Sequence, residues 1–434
     1  MENFKKNIND NFEDFYSQNI SSDVLNNFRK SSFASLNSLG LPSLKDEDWR
    51  FTDLNDFYKS VFKHRIQDNK KFDTTLIPKS LNFSDVTFVY LHNGKLSHFD
   101  SIENVKIEDL ESYISSLNSN EFEEIINGHS EKNKDFTFEM NSAFLKDGVY
   151  IEVEKNIKLK KPIVIINYYD SEASFVCHRN IINFQDLSEG QIVEYTFSDD
   201  NVSFLSNKAT CFLLGNSTNV EHLSVDESNK SSYILSNLKI SQKKDSNFTT
   251  DTILIGGKLY RNNVHPVLNG EGSNSNILGL YLSKDSQHMD NYMFVEHIKP
   301  NCGSRQLYKG ILKDTSKGVF HGRILVHNEA QKTDAKQTNR NLLLSEKAQV
   351  DTKPQLEIYA DDVKCTHGAT TGQIDNEALY YLRARGINLE DAKLIMIRSF
   401  TEELLEFISS NFILDLHKSF VENWFLNSQL AKPE

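Results

Sequence analysis

Residues 250–281 read TDTILIGGKLYRNNVHPVLNGEGSNSNILGLY, and the fold turns on how the two apolar runs at its ends are joined. Thr250-Asp251-Thr252-Ile253-Leu254-Ile255 and Ile277-Leu278-Gly279-Leu280-Tyr281 are short and β-rich, with Gly, Asn and Ser breaking the chain before the second, a pattern of strands and turns. No helical stretch of ordinary crossover length separates them, which weighs against βαβ units. The same texture runs outward from about 148 to 365, with further runs at 149–153, 162–166, 192–195, 233–235 and 322–326. A sandwich or a β-helix remains. Roughly 200 residues of short strands with irregular polar turns favour a solenoid, in which each coil buries apolar residues against the next. No clean repeating motif accompanies them.

Both flanks read differently. In residues 1 to 70, Phe12, Phe15 and Tyr16, then Val24, Leu25 and Phe28, recur at helical spacing. Leu41-Pro42-Ser43 breaks the pattern, and Asp48-Trp49-Arg50-Phe51-Thr52 follows, with Trp49 and Phe51 expected to anchor the segment on a core. A strand is predicted at Val86-Thr87-Phe88-Val89-Tyr90, helices over 105–126, and a solvated loop over the charged stretch 127–135. From Asp375 the chain is helical again. Asp375 caps one helix carrying Leu379 and Leu382, and Gly386 fits its end. Asn388 caps the next, with Asp391 three residues on in a capping-box-like position. Ala392, Ile395, Phe400 and Leu404 form one stripe, and Ile413, Leu416, Phe420 and Trp424 another. These stripes either dock on the end of the solenoid or receive a partner protein. The expected domains are 1–147, helical and mixed; 148–374, the β core; and 375–434, helical.

The chain has 434 residues and a formal net charge of -13, which argues against broad nucleic-acid or membrane binding. Cys177, Cys211, Cys302 and Cys365 lie far apart without a CxxC. A disulfide scaffold and a self-contained zinc knuckle are therefore not expected, and a reducing cytosol is the natural compartment. The opening MENFKKNINDNFEDF has no apolar core of a secretory leader, and no run approaches 18 apolar residues. A cytoplasmic protein is expected.

No GxxxxGK[ST], HExxH, GxSxG or GxGxxG occurs; Gly256-Gly257-Lys258 lacks both the earlier glycine and the following Ser/Thr of a phosphate loop. The chain thus carries no recognisable means of using ATP or a dinucleotide itself. His288, His297, His321 and His327 fall close together near Cys302, but each reads as a satisfied polar or core histidine. His288 and His297 have the wrong parity to share one face of a strand. The segment 356–385, LEIYADDVKCTHGATTGQIDNEALYYLRAR, is more specific. If 363–367 is extended, Cys365 and His367 share one face about 7 Å apart at Cα. A thiolate beside an imidazole binds iron or accepts sulfur. Two ligands make no closed site, so the rest must come from elsewhere in the fold or from another chain. A Cys–His protease lacks its context, with no oxyanion site and no helix-borne cysteine.

The stretch 332–387, KTDAKQTNRNLLLSEKAQVDTKPQLEIYADDVKCTHGATTGQIDNEALYYLRARGI, resembles the C-terminal signature of the SufB/SufD family of iron–sulfur cluster assembly proteins. HMDNYMFVEH from His288 and SRQLYKGIL from Ser304 resemble upstream blocks of that family. Asp48-Trp49-Arg50-Phe51-Thr52 resembles its N-terminal motif, with Phe51 in place of the more usual tyrosine. The Cys-Thr-His-Gly-Ala-Thr form at 365–370, the chain length and the absence of clustered N-terminal cysteines fit the SufD branch. The resemblance implies a right-handed parallel β-helix core flanked by N-terminal and C-terminal helical domains. It implies a non-enzymatic scaffold that joins a SufB-like paralogue to the SufC ATPase, the latter held by the helical domain from about Asp375. Cys365 and His367 would then lie near the SufB boundary as metal-handling residues, with His367 the better placed for iron or a transient cluster. No cofactor is expected to stay bound to this chain alone. A homodimer is a further contact left open, as are a purely structural adaptor and a stand-alone metal-dependent enzyme.

Overall fold

The computed structural model describes residues 1–19, 21–64, 72–78, 83, 85–127 and 135–428. Successive strands alternate between two sheets, so that each strand pairs in parallel with the strand two places on. One sheet takes Val149–Val153, Ser174–Phe184, Phe204–Leu214, Tyr233–Gln242, Leu259–Leu268, His288–His297, Lys317–Val326 and Gln349–Ile358. The other takes Ile163–Tyr169, Glu189–Ser198, Asn219–Glu227, Asn247–Leu254, Asn274–Ser283, Gly303–Leu312, Asp334–Leu343 and Lys364–Gln373. This is a parallel β-helix with two strands per coil, as the short strands without crossover helices predict. Among the described residues, antiparallel pairing is confined to the N-terminal end, Thr87–His92 with Lys95–Phe99 and Val105–Asp109 with Val149–Val153.

One coil advances the chain by between 26 residues (Tyr233↔Leu259) and 32 residues (Lys317↔Gln349). The corner that ends each coil has a fixed backbone but no fixed residue. Asn156, Leu187, Ser217, Asp245, Gly272, Asn301 and Lys332 all have φ between +55° and +74°. Each donates its N–H across one coil to the carbonyl of Asp186, Asn216, Lys244, Glu271, Pro300, Gln331 and Asp362 respectively, at 2.5–3.2 Å. The bond supplies what the left-handed conformation costs a residue with a Cβ, so side-chain type drifts freely at the corner. Gly256 and Gly257, set aside as a phosphate loop, make a turn instead: Gly257 has φ +82°, and a Cβ on Gly256 would lie 2.2 Å from the Ser228 carbonyl.

Side chains alternate between lumen and outside. The lumen is apolar over much of its length, with Val220, Phe248, Ile277, Phe212, Ile240, Met293 and Ile324 all buried. It also carries polar side chains, among them the ion pair Lys208–Asp226 at 2.7 Å. The outer faces are covered by the two flanks. Phe4, Ile8, Phe12, Phe15, Trp49 and Phe57 pack on Phe175, Leu205, Tyr233 and Leu259 of the first sheet. Ile397, Leu404, Ile413, Leu416, Phe420 and Trp424 pack on Leu223, Ile253, Leu280 and Leu307 of the second. The C-terminal stripes therefore bury on a side of the solenoid rather than on its end. The caps form as the residue pattern predicts: Asp375 accepts from the N–H groups of Glu377 and Ala378, Asn388 from Asp391, and Gly386 has φ +88°. Residues 105–109 form a strand, and the helices begin only at Leu110–Ser116 and Ser119–Phe122, the latter running on into a π-helical turn at Glu123–Asn127. Val105, Ile107 and Asp109 alternate with Lys106 and Glu108, a period of two that pairs with the first strand of the core. Most of the charged stretch 127–135 lies outside the described residues.

Candidate functional site

Lys364–Gln373 is the outermost strand of its sheet, and Gln349–Ile358 is the outermost strand of the other. Each pairs on one side only, so the last coil presents two open edges. Pro354 stands on one of them, a position where a missing N–H is tolerated. Cys365 aligns with Ala335 and His367 with Gln337. Ala335 belongs to the lumen core, Gln337 is buried, and Cys365 packs against that core while half-buried. Cys365 and His367 thus share the lumen-facing side of an extended strand, the arrangement their spacing predicts. His367 is exposed, as are Thr366 and all residues from Gly368 to Gln373. Burial pushes the Cys365 thiol up, helped by the carboxylate of Asp334 and opposed by a backbone hydrogen bond at Ala335. In the free chain the sulfur is a neutral thiol, since the free value is already above pH 7.

The other histidines near Cys302 are dispersed, each engaged by neighbours other than a metal-ligand set. His288 meets Thr52 at 3.0 Å, and His297 meets Ser304 at 2.9 Å from the opposite face of the same strand. His321 lies 3.8 Å from Asp48. His327 and His265 both hold Glu296, at 3.2 and 3.0 Å. Among the described residues no group of three or more His, Cys, Asp or Glu is arranged to hold a metal ion. All four cysteines are free, and three are buried.

The N-terminal motif is a clamp. Trp49 lies under the Arg261 guanidinium at 4.2 Å, and Arg261 binds the Asp48 carbonyl at 2.9 Å and Asp290 at 2.7 Å. Thr52 donates to Asp290 at 2.5 Å. The aromatic anchor at Trp49 is evident in the residues; its cation, 212 positions away, is not. A second set of contacts ties the C-terminal helices to the coils behind the open edge. Lys309 binds the Phe400 carbonyl at 2.5 Å and Glu403 at 2.7 Å, and Arg340 shares Glu403 at 2.7 Å. Buried His417 and Asp251 meet at 2.5 Å. The large hydrophobic side chains that these helices leave in solvent are Tyr380, Tyr381, Ile395 and Leu426, at 76%, 55%, 41% and 63% exposure. Of these only Ile395 belongs to a stripe read from the sequence, and the rest of both stripes packs on or near the solenoid.

Comparison with known proteins agrees with this architecture. Residues 167–400 match the family model described as SUF system FeS cluster assembly, SufBD core domain. This chain belongs to the SufBD family. Residues 6–165 match the SufBD protein N-terminal region. Among SufBD relatives, the iron–sulfur cluster assembly protein SufD of Escherichia coli is 33% identical over 271 residues, 62% of this chain and 64% of that protein. A SufBD family iron–sulfur cluster assembly protein of Synechocystis is 29% identical over 407 residues, 88% of this chain and 87% of its own length. The chloroplastic protein ABCI7 of Arabidopsis thaliana is 28% identical over 426 residues, 95% of this chain and 89% of its own. The SufD-like reading of the sequence is consistent with these SufBD relatives. Among the described residues no helix is long and apolar enough to cross a membrane.

Proposed function

We propose that this chain is a scaffold subunit without ATPase activity, joining a SufB-like paralogue to a SufC-like ATPase in iron–sulfur cluster assembly. Cys365 and His367 contribute to iron acquisition or nascent cluster assembly at the boundary with the paralogue. The observation that carries the reading is the last coil. Its open edge strand carries a thiol and an imidazole on one face, beside an unpaired edge that a strand of another chain could occupy. Iron is cargo here, and two donors from one chain are too few to retain it. The neutral Cys365 thiol fits the same picture, because a partner's cation or metal would be needed to draw off its proton. The expected division is a helical and mixed region over 1–147, the β-helix over 148–374 and the helical module over 375–434. The ATPase is assigned to the last of these, on the surface around Tyr380 and Tyr381.

The test is His367→Ala in the assembled complex, followed with iron, a sulfur donor and ATP. Cluster formation is expected to fall at least tenfold with the complex intact. Wild-type rate and yield would remove the metal role. Loss of the complex itself would favour a second reading, a purely structural adaptor.

A further inference from the structure

The column of lumen side chains behind His367 ends in an amide whose oxygen is unused. Register aligns His367 with Gln337 and Gln337 with Gln306. Gln337 and Gln306 are each 1% exposed. Gln337 donates from Nε2 to Oε1 of Gln306 at 2.5 Å, so the amide hydrogen bonds run along the axis as in an amide ladder. In such a ladder each carbonyl accepts from the next residue up, and the residue above Gln337 is His367. Oε1 of Gln337 is buried and has no hydrogen-bond partner among the described residues. A buried acceptor left unpaired costs on the order of 1–3 kcal/mol, so its persistence calls for a donor.

The amide is also held in place. Gly322 faces it across the lumen, and a Cβ there would lie 2.3 Å from Nε2 of Gln337. The side chain of Gln337 fills the room that this glycine leaves, and its amide is paired with that of Gln306, whose own Nε2 has no hydrogen-bond partner among the described residues. Neighbouring strands run about 4.8 Å apart, within reach of an imidazole N–H turned toward the lumen. The other member of the pair has no such support, because Cys365 stands over Ala335.

We propose that Gln337 is a positioning residue for His367. Its carbonyl oxygen accepts one ring N–H and leaves the second ring nitrogen facing out of the open end. This rests on the reading of His367 as the metal-handling residue. It adds the outer partner that a ligating imidazole ordinarily has, a carbonyl fixing tautomer and ring orientation.

The test uses the full chain labelled with 15N-histidine, reading the neutral tautomer of His367 by NMR. In the wild type one neutral tautomer should dominate. Gln337→Leu, or Gln337→Met should the Leu variant disturb the coil, should bring the two tautomers to comparable populations. Gln337→Glu, which keeps an acceptor oxygen at that place, should retain the dominant tautomer. Lys336→Ala, on the outward face of the same strand, should change nothing. Comparable tautomer populations in the wild type, or an unaltered tautomer in a folded Gln337→Leu or Gln337→Met chain, overturns the proposal. Because the spectra are read on the chain alone, they stand or fall separately from cluster formation in the complex.

Discussion

Single residues in this molecule are governed by burial more than by contact with one another. His178 and His297 lie in the lumen, and burial pushes both down to about 4. For His297 burial is the whole cause, and its Nδ1 has no hydrogen-bond partner among the described residues. The sign of the pH effect follows. The folded value lies below the unfolded value of about 6.5, so the unfolded chain takes up a proton first as pH falls. Stability is therefore full above pH 6.5 and is lost between 6.5 and 4. One such histidine accounts for about 3 kcal/mol over that range, at 1.36 kcal/mol per unit. Urea midpoints measured from pH 7 to 4 should fall accordingly, and His297→Gln should flatten the decline. Lys208 shows the opposite outcome of burial: Asp226 at 2.7 Å, with Tyr260 and Tyr169 nearby, keeps the ammonium charged where desolvation alone would neutralise it. The parity of Cys365 and His367 was legible because alternation in a strand is local. Gln337 was not, because it is 30 positions away in sequence and one strand away in space.

At the scale of elements, the helices were readable one by one and their destination was not. Spacing identifies Ile413, Leu416, Phe420 and Trp424 as one face, but nothing in that face names the surface it covers. The structure supplies strands of four consecutive coils, through Leu223, Ile253, Leu280 and Leu307. The connection into the last helix is tied by Glu221, whose carboxylate accepts the N–H groups of Ser409 at 2.8 Å and Ser410 at 2.9 Å. Glu221→Ala should cost about 1–2 kcal/mol, as for the loss of a helix cap. It should also speed hydrogen exchange over 409–413 ahead of the rest of that helix; uniform exchange across the helix would count against the tether. The strands were legible as strands, while the coil was not legible as a repeat. Its period drifts between 26 and 32 residues, and its corner is defined by a backbone angle that Asn, Leu, Ser, Asp, Gly and Lys all adopt in turn.

The whole molecule is a one-dimensional stack with side walls. Helices cover an outer face of each sheet, and the final coil is left with unpaired edges. Edges of this kind recruit another strand unless charge or proline guards them. Thr366 and Thr370 both face solvent on the outer side of the edge strand. Thr366→Lys with Thr370→Lys should weaken binding to a SufB-like paralogue at least tenfold, measured by calorimetry, while leaving the melting temperature of the chain alone within a degree or two. Equal loss of melting temperature would mean that the strand matters to the fold instead.

The open coil has a consequence for when the site exists. In a stack whose units touch only their neighbours, the terminal unit opens most easily. Here that unit is the one bearing Cys365 and His367. A partner strand laid on it would stabilise the coil and complete the donor set in one event, linking assembly to competence by mass action. Before that event the thiol is neutral and the last strand is paired on one side only. On the proposed reading the chain alone would have little hold on stray iron, and competence would be conferred only by company.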